Sequence, residues 1–191
     1  MKPAVVTKGE DVDFSAAAER AQSIVAVVDA AKYFLLPKLG NMAEECAEAE
    51  MRSNAPLACV YLSAAVELKV SGVEEAAMDY VRSEIHFDLR DHKMAMKSLS
   101  PDALELILKD EHCDADDKGL FLFLCAWVGS GDDAEKERRK TIASKFVRHI
   151  KLEYMDPSDL AEIVSSSGLV TDEEVLEAYK KQALETGCVV S

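Results

Sequence analysis

Three features of the sequence predict an all-α protein. Apolar residues recur at three- and four-residue steps through most of the chain. Helix start and stop signals bracket those stretches. Only residues 5–7 and 12–14 could be short extended pieces, and nothing else alternates as a strand would. The pattern amounts to eight to ten helices with short connections, and therefore to antiparallel hairpins packed side by side.

Ser15 opens the first segment, where Ile24, Val25, Val28, Ala31, Phe34 and Leu35 recur as one helical stripe. Pro37 starts a second helix at a position where its missing N–H costs nothing. That helix carries Leu39, Met42, Cys46 and Ala49. Asn54 and Pro56 mark a third start, with Leu57, Val60, Tyr61, Ala64, Ala65 and Leu68 as the expected buried stripe. Gly72 is the expected stop. The fourth helix has Val73, Ala76, Ala77, Tyr80 and Val81 on one face, and residues 86–99 leave room for one short helix.

Ser100-Pro101 is a helix N-terminus for residues 102–109. An acidic loop, 110–118, leads to the most apolar helix, with Leu120, Phe121, Leu124, Trp127 and Val128, which ends at Gly129-Ser130-Gly131. A charged helix from about Asp133 turns Ile142, Phe146 and Val147 inward. Its basic cluster, residues 136–140, is interleaved with glutamates and reads as a solvated face. Asp156-Pro157 starts another helix with Leu160, Ile163 and Val164. For the last one, Thr171 and Glu174 form a capping box, with Val170 and Val175 placed as a hydrophobic staple.

The totals bound the function classes. The 191 residues suffice for one domain with a sizeable core, and 49% hydrophobic with 30% charged residues is ordinary globular composition. Lys and Arg number 22 against 36 Asp and Glu, a net charge of 22 − 36 = −14. Such a surface repels phosphate backbones, which excludes nucleic acid as a partner. No apolar run approaches the ~20 residues that span a bilayer, and the N-terminus lacks a signal-peptide core. The five cysteines are odd in number and irregularly spaced, and three fall on apolar helix faces. That is the usage of a reducing compartment. A soluble cytoplasmic protein is expected, with the nucleus also open.

Candidate chemistry is sparse. His86, His92, His112 and His149 show no i,i+4 ligand spacing with another His or Cys, so structural polar roles are expected and no metal. In the loop from Asp114, aspartate at position three and Gly119 at position six match a calcium loop. Lys118 at five and Cys125 at twelve do not, so an N-cap in a solvated loop is expected. No phosphate loop, nucleophile elbow or zinc-protease motif occurs. The expectation is a protein that is not an enzyme and holds no cofactor.

The last four residues, Cys188-Val189-Val190-Ser191, fit a C-a-a-X box, and serine at X points to farnesyl on Cys188. The chemistry needs a thiol, two aliphatic side chains for an apolar groove and a free carboxylate. Residues 185–187 supply a flexible approach. Only Lys180 and Lys181 flank the site as bases, and one prenyl chain anchors weakly. A frayed tail with an exposed thiol is the alternative.

From Ala30 onward the order of motifs resembles the end of a BTB domain followed by a BACK domain. Ala30-Ala31-Lys32-Tyr33-Phe34-Leu35-Leu36-Pro37-Lys38-Leu39 is similar to the family's closing BTB helices, which precede a helix with a buried cysteine, here Cys46. Ala76-Ala77-Met78-Asp79-Tyr80-Val81 resembles the first BACK hairpin, and Leu99-Ser100-Pro101-Asp102-Ala103-Leu104 the next helix. Trp127-Val128 looks like that family's Trp-Val ending, and Met155-Asp156-Pro157-Ser158-Asp159-Leu160 its Met-Ser-Pro-Glu-Leu passage. The resemblance implies residues 1–14 as a remnant BTB-like strand, 15–52 as a BTB-end helical pair and 53–184 as a BACK-like helical array. Residues 185–191 form the tail. A complete BTB core and kelch repeats are not expected in this chain. By resemblance, the protein is a non-catalytic scaffold similar to adaptors of cullin–RING ubiquitin ligases, with a cullin or a ubiquitination substrate as partner. The alternative is a membrane-peripheral binding protein, tethered by farnesyl and unrelated to ubiquitin.

Overall fold

Short apolar stripes make each helix one-sided, and in the computed structural model they close on a shared core. Residues 14–84, 92–113 and 115–187 are described. Among them there is no strand, and ten helices account for the fold, so the all-α expectation holds. The helices are α1 Phe14–Tyr33, α2 Pro37–Ser53, α3 Ala58–Leu68, α4 Ser71–Glu84, α5 Lys93–Ser98, α6 Pro101–Leu108, α7 Asp117–Gly129 and α8 Asp133–Phe146. α9 combines Pro157–Asp159, a π-helical stretch Leu160–Val164 and Ser165–Ser167; α10 is Asp172–Gly187. No helix among the described residues is long and apolar enough to cross a membrane.

α1 and α2 form an antiparallel hairpin, as do α3 and α4, and α1 also packs on α3. α1 buries Ala17, Ala21, Val25, Val28 and Ala31, and α2 buries Gly40, Ala43, Ala47 and Met51. These faces are mostly Ala and Gly, which lets the helix axes approach closely. A Cβ on Gly40 would sit 3.6 Å from that of Ala31. Glu50 then ties three helices, accepting hydrogen bonds from Arg20 Nε at 2.6 Å and from the buried Tyr61 hydroxyl at 2.8 Å. Burial and the Glu50 carboxylate push the Tyr61 phenol far above its ordinary range.

The choice of α2 face overturns a sequence expectation. Leu39, Met42, Cys46 and Ala49 are exposed instead of buried. Both faces of α2 are apolar, and the smaller side chains win because α2 lies against both α1 and α4. The buried cysteine implied by the family resemblance is therefore not found at Cys46. Phe34 and Leu35 likewise fall beyond the end of α1 and are exposed. Gly72 is not a stop but the second residue of α4, where the Glu44 carboxylate packs against its bare Cα. α3 stops instead at Lys69, whose φ of 57° closes the helix in the left-handed conformation. Phe14 begins α1, so the extended piece expected over 12–14 is not strand at its last residue; residues 5–7 lie outside those described.

Several caps are as the sequence predicts. The Ser100 hydroxyl accepts from Ala103 N–H at 3.3 Å at the start of α6. In the capping box of α10, Thr171 N–H donates to Glu174 Oε2 at 2.8 Å, and Glu174 N–H to Thr171 Oγ1 at 3.3 Å. Val175 is buried and Val170 half-buried, as a staple requires.

The second half of the molecule is organised by Arg139 on α8, which the sequence places on a solvated face and the fold buries to 5% exposure. α5 and α7 each end with carbonyls that have no partner in their own helix. The guanidinium collects them, donating from one terminal nitrogen to Trp127 O at 2.9 Å and Ser130 Oγ at 2.6 Å. The other terminal nitrogen donates to Lys97 O at 2.8 Å and to Glu135 at 2.9 Å. It also lies 4.7 Å from the centroid of the Trp127 ring, whose indole N–H donates to Leu99 O at 2.8 Å. Removing the fork withdraws donors from Lys97 O and Glu135, while Trp127 O keeps the Ser130 N–H and hydroxyl and Met96 O keeps the Leu99 N–H. We therefore expect Arg139→Ala to lower the unfolding free energy by about 1–3 kcal/mol in urea titrations. Arg139→Lys should lose less, since it keeps the charge but not the fork.

Candidate functional site

The turn between α1 and α2 is where the fold spends stability without a visible internal return. α1 ends in a Schellman motif, with Leu36 N–H donating to Ala31 O at 2.8 Å and Leu35 N–H to Lys32 O at 3.2 Å. The motif needs a left-handed residue between the helices, usually glycine, yet Leu35 occupies it with φ 56°. A Cβ in that conformation costs roughly 1 kcal/mol relative to glycine. Leu35 is also 85% exposed, so its side chain recovers nothing from the core. Tyr33 and Phe34 beside it are exposed too, their rings edge-to-face at 5.1 Å. Pro37 explains why the helix stops here, since it restricts Leu36 to non-helical backbone before α2 restarts.

Beside the turn lies a groove of about 490 Å³ lined by Ala31, Leu35, Leu36, Pro37 and Gly40, with Lys32, Asn41 and Glu44 completing it. Its depth follows from the small residues at the α1–α2 crossing, because Gly40 and Ala31 leave space that Leu35 and Leu36 wall in. The lining offers apolar surface, one cation, one anion and one amide. Such a set suits an apolar side chain or short segment of another protein, oriented by charges of both signs.

Two other grooves are more polar. One of about 520 Å³ lies between α4 and α6, lined by Glu74, Glu75, Arg82, Lys109, Asp110 and His112 among others. Arg82 Nε donates to Asp110 Oδ2 there at 2.6 Å and holds that carboxyl below its ordinary range. Arg82 and Asp110 are thus engaged with each other, and Lys109 pairs with Glu105 at 2.8 Å. A smaller one, about 250 Å³, runs between residues 147–153 and α10 and carries Arg148, Lys151, Glu174, Glu177 and Lys181.

The residues singled out by sequence are scattered. Cys188 and His86 lie outside the described residues. His92 caps α5, its Nδ1 accepting from Ala95 N–H at 3.2 Å. His112 stands 3.5 Å from Asp110, and His149 3.1 Å from Glu105. In the acidic loop Asp114 lies outside the described residues, while Asp116 is the N-cap of α7, accepting from Gly119 N–H at 2.7 Å. Lys118 pairs with Asp159 at 2.8 Å. Burial pushes the Cys59 thiol up to about 12 and that of Cys125 to about 11, which makes them small hydrophobes rather than nucleophiles. Among the described residues no cluster of His, Cys, Asp and Glu has the makings of a metal site.

Sequence reasoning passed over the turn because Phe34 and Leu35 continue the apolar period of α1. One signal was present. Four consecutive apolar residues, from Tyr33 through Leu36, immediately precede a proline, and a chain leaving a helix there cannot bury all four. No protein-family model matches the chain, and no curated protein matches it significantly.

Strain at Leu35 makes a direct forecast. Leu35→Gly keeps the Schellman hydrogen bonds and relieves the left-handed Cβ, so thermal or urea unfolding should show a gain of about 1 kcal/mol. An unchanged or lower stability would mean that the exposed leucine contributes packing of its own.

Proposed function

We propose that the chain is a non-catalytic protein-interaction scaffold of the BTB–BACK adaptor kind, with the groove at the α1–α2 turn as its docking surface. The observation that carries this reading is Leu35, which is exposed and held at positive φ beside an apolar groove. Lys69 closes α3 at the same φ, but Leu35 differs in carrying an apolar side chain that walls a groove, where a contact outside the chain would recover what the strain costs. The motif order from Ala30 to Leu160 supports the adaptor part of the reading. Such adaptors bring ubiquitination substrates to cullin–RING ligases, and a cullin or a substrate segment is the partner we assign. The irregular cysteines support work in the reducing cytoplasm or nucleus.

Affinity purification from a eukaryotic lysate, read by mass spectrometry, tests it. The wild-type chain should enrich a cullin–RING set, and Leu35→Asn should lose it, since asparagine tolerates the left-handed backbone but removes the apolar side chain. Absence of ligase components with wild type, or equal recovery with both chains, would sink the assignment.

A second reading rests on Cys188-Val189-Val190-Ser191, which makes the chain a membrane-peripheral protein tethered by farnesyl. Metabolic labelling with a farnesyl analogue should mark the wild type and not Cys188→Ser. One chain alone should give only weak, reversible membrane recovery. An unlabelled wild-type chain would remove this reading.

A further inference from the structure

We propose that the groove between α4 and α6 is a second docking surface, which takes a short extended segment of a partner protein carrying an apolar residue between two cations. It is separate from the groove of the proposed function, with which it shares no lining residue.

Its length comes from α4. Ser71, Glu74, Glu75, Met78 and Arg82 recur at three- and four-residue steps, so they form one wall. From Ser71 to Arg82 that wall runs roughly 16 Å at the helical rise per residue. Such a length matches about five residues of extended chain. Leu106 and the turn 109–112 form the opposite wall, and the space between them is about 520 Å³. The apolar part lies midway along. Met78 is buried and Leu106 half-buried, and a methionine floor adapts to side chains of different shape.

Charge selects the occupant. The cations of the groove are already held, Arg82 by Asp79 and Asp110 at 2.6 Å each and Lys109 by Glu105 at 2.8 Å. Among the described residues, by contrast, Glu74, Glu75 and Glu111 form no ion pair. Glu74 and Glu75 stand near the start of α4, while Glu111 follows Asp110, which is tied to Arg82 in the last turn. Uncommitted carboxylates therefore flank the apolar floor at both ends, and a segment with a cation on each side of an apolar residue complements them.

The other grooves lack this surplus. Between residues 147–153 and α10, Arg148, Lys151 and Lys181 face three glutamates, and at the α1–α2 turn Lys32 faces Glu44. In a further groove between α2 and α4, Glu48 and Asp79 are paired with Arg52 and Arg82. Among the described residues no acidic cluster has the makings of a metal site, so a bare divalent ion is a poor occupant. A net charge of −14 draws any cation, and what sets this groove apart is three carboxylates placed around an apolar floor.

Titrating the isotope-labelled full chain with the capped peptide Arg-Ala-Leu-Ala-Lys, followed by NMR, tests this. Amide shifts should concentrate on α4, α6 and residues 109–112. Combining Glu74→Gln, Glu75→Gln and Glu111→Gln should weaken binding roughly tenfold or more and leave the thermal melt unchanged. Glu137→Gln, Glu162→Gln and Glu173→Gln together remove the same charge from exposed positions elsewhere, and should change binding by less than about twofold. Shifts that avoid α4 and α6 overturn the proposal. Equal losses in the two triple variants also overturn it, since they report a cation drawn to an acidic chain. So does undiminished binding of Arg-Ala-Ser-Ala-Lys, which lacks the apolar residue. Leu35→Asn should leave the titration unchanged, so docking at the turn and docking here are read independently.

Discussion

The C-terminal half of the fold depends on one buried cation. Arg139 answers a geometric problem that any bundle of short helices meets, namely that helices of two turns expose a large share of their carbonyls at their ends. α5 and α7 point their C-termini at the same place, where two negative helix ends repel one another unless a positive charge sits between them. The guanidinium supplies that charge and the donors together. Glu135 one turn away and the Trp127 ring keep it from being an isolated ion in the core. A lysine has the charge but not the planar fork, and a neutral donor has too few N–H groups, so the position is specific to arginine.

The N-terminal half is held differently. α1 and α2 meet mostly through Ala and Gly, where each contact buries little area and close approach does the packing, while α3 adds the buried Tyr61 and Leu62. Glu50, Arg20 and Tyr61 form the main tie. A consequence follows for the surface. When the small residues of α2 face inward, its large apolar residues must face outward, because both sets share one helix. The exposed Leu39, Met42 and Cys46 are therefore the other side of the same packing decision, and not a separate accident.

Local chemistry was readable from the residues. The Thr171–Glu174 box, the Ser100 cap and the Asp116 cap each involve groups within a few positions, so spacing alone determines them. What could not be read depends on distant chain. Which face α2 buries is decided by α1 and α4, and the period is equally good for either face. Arg139 looked like any residue of a charged helix because its acceptors at Met96 and Lys97 lie 43 and 42 positions away. At the turn, Pro37 signalled the end of α1. The left-handed Leu35 follows from the Schellman bonds, which sequence spacing does not specify when glycine is absent.

Most positions in this chain agree across levels, with propensity, cap and burial pointing to the same element. Some disagreements lie elsewhere, as with the left-handed Lys69 and the buried Arg139, and three share one hairpin. A leucine at positive φ, four consecutive exposed or half-exposed apolar residues and an amphipathic helix turned with its larger face outward all fall between Tyr33 and Ala49. The inner face of that hairpin is nonetheless packed and its Arg20–Glu50 ion pair formed, which separates those three from poor folding. Local rules are broken where stability within the chain is not what the residues serve. The small-residue packing of the hairpin's inner face is what turned its larger apolar residues outward.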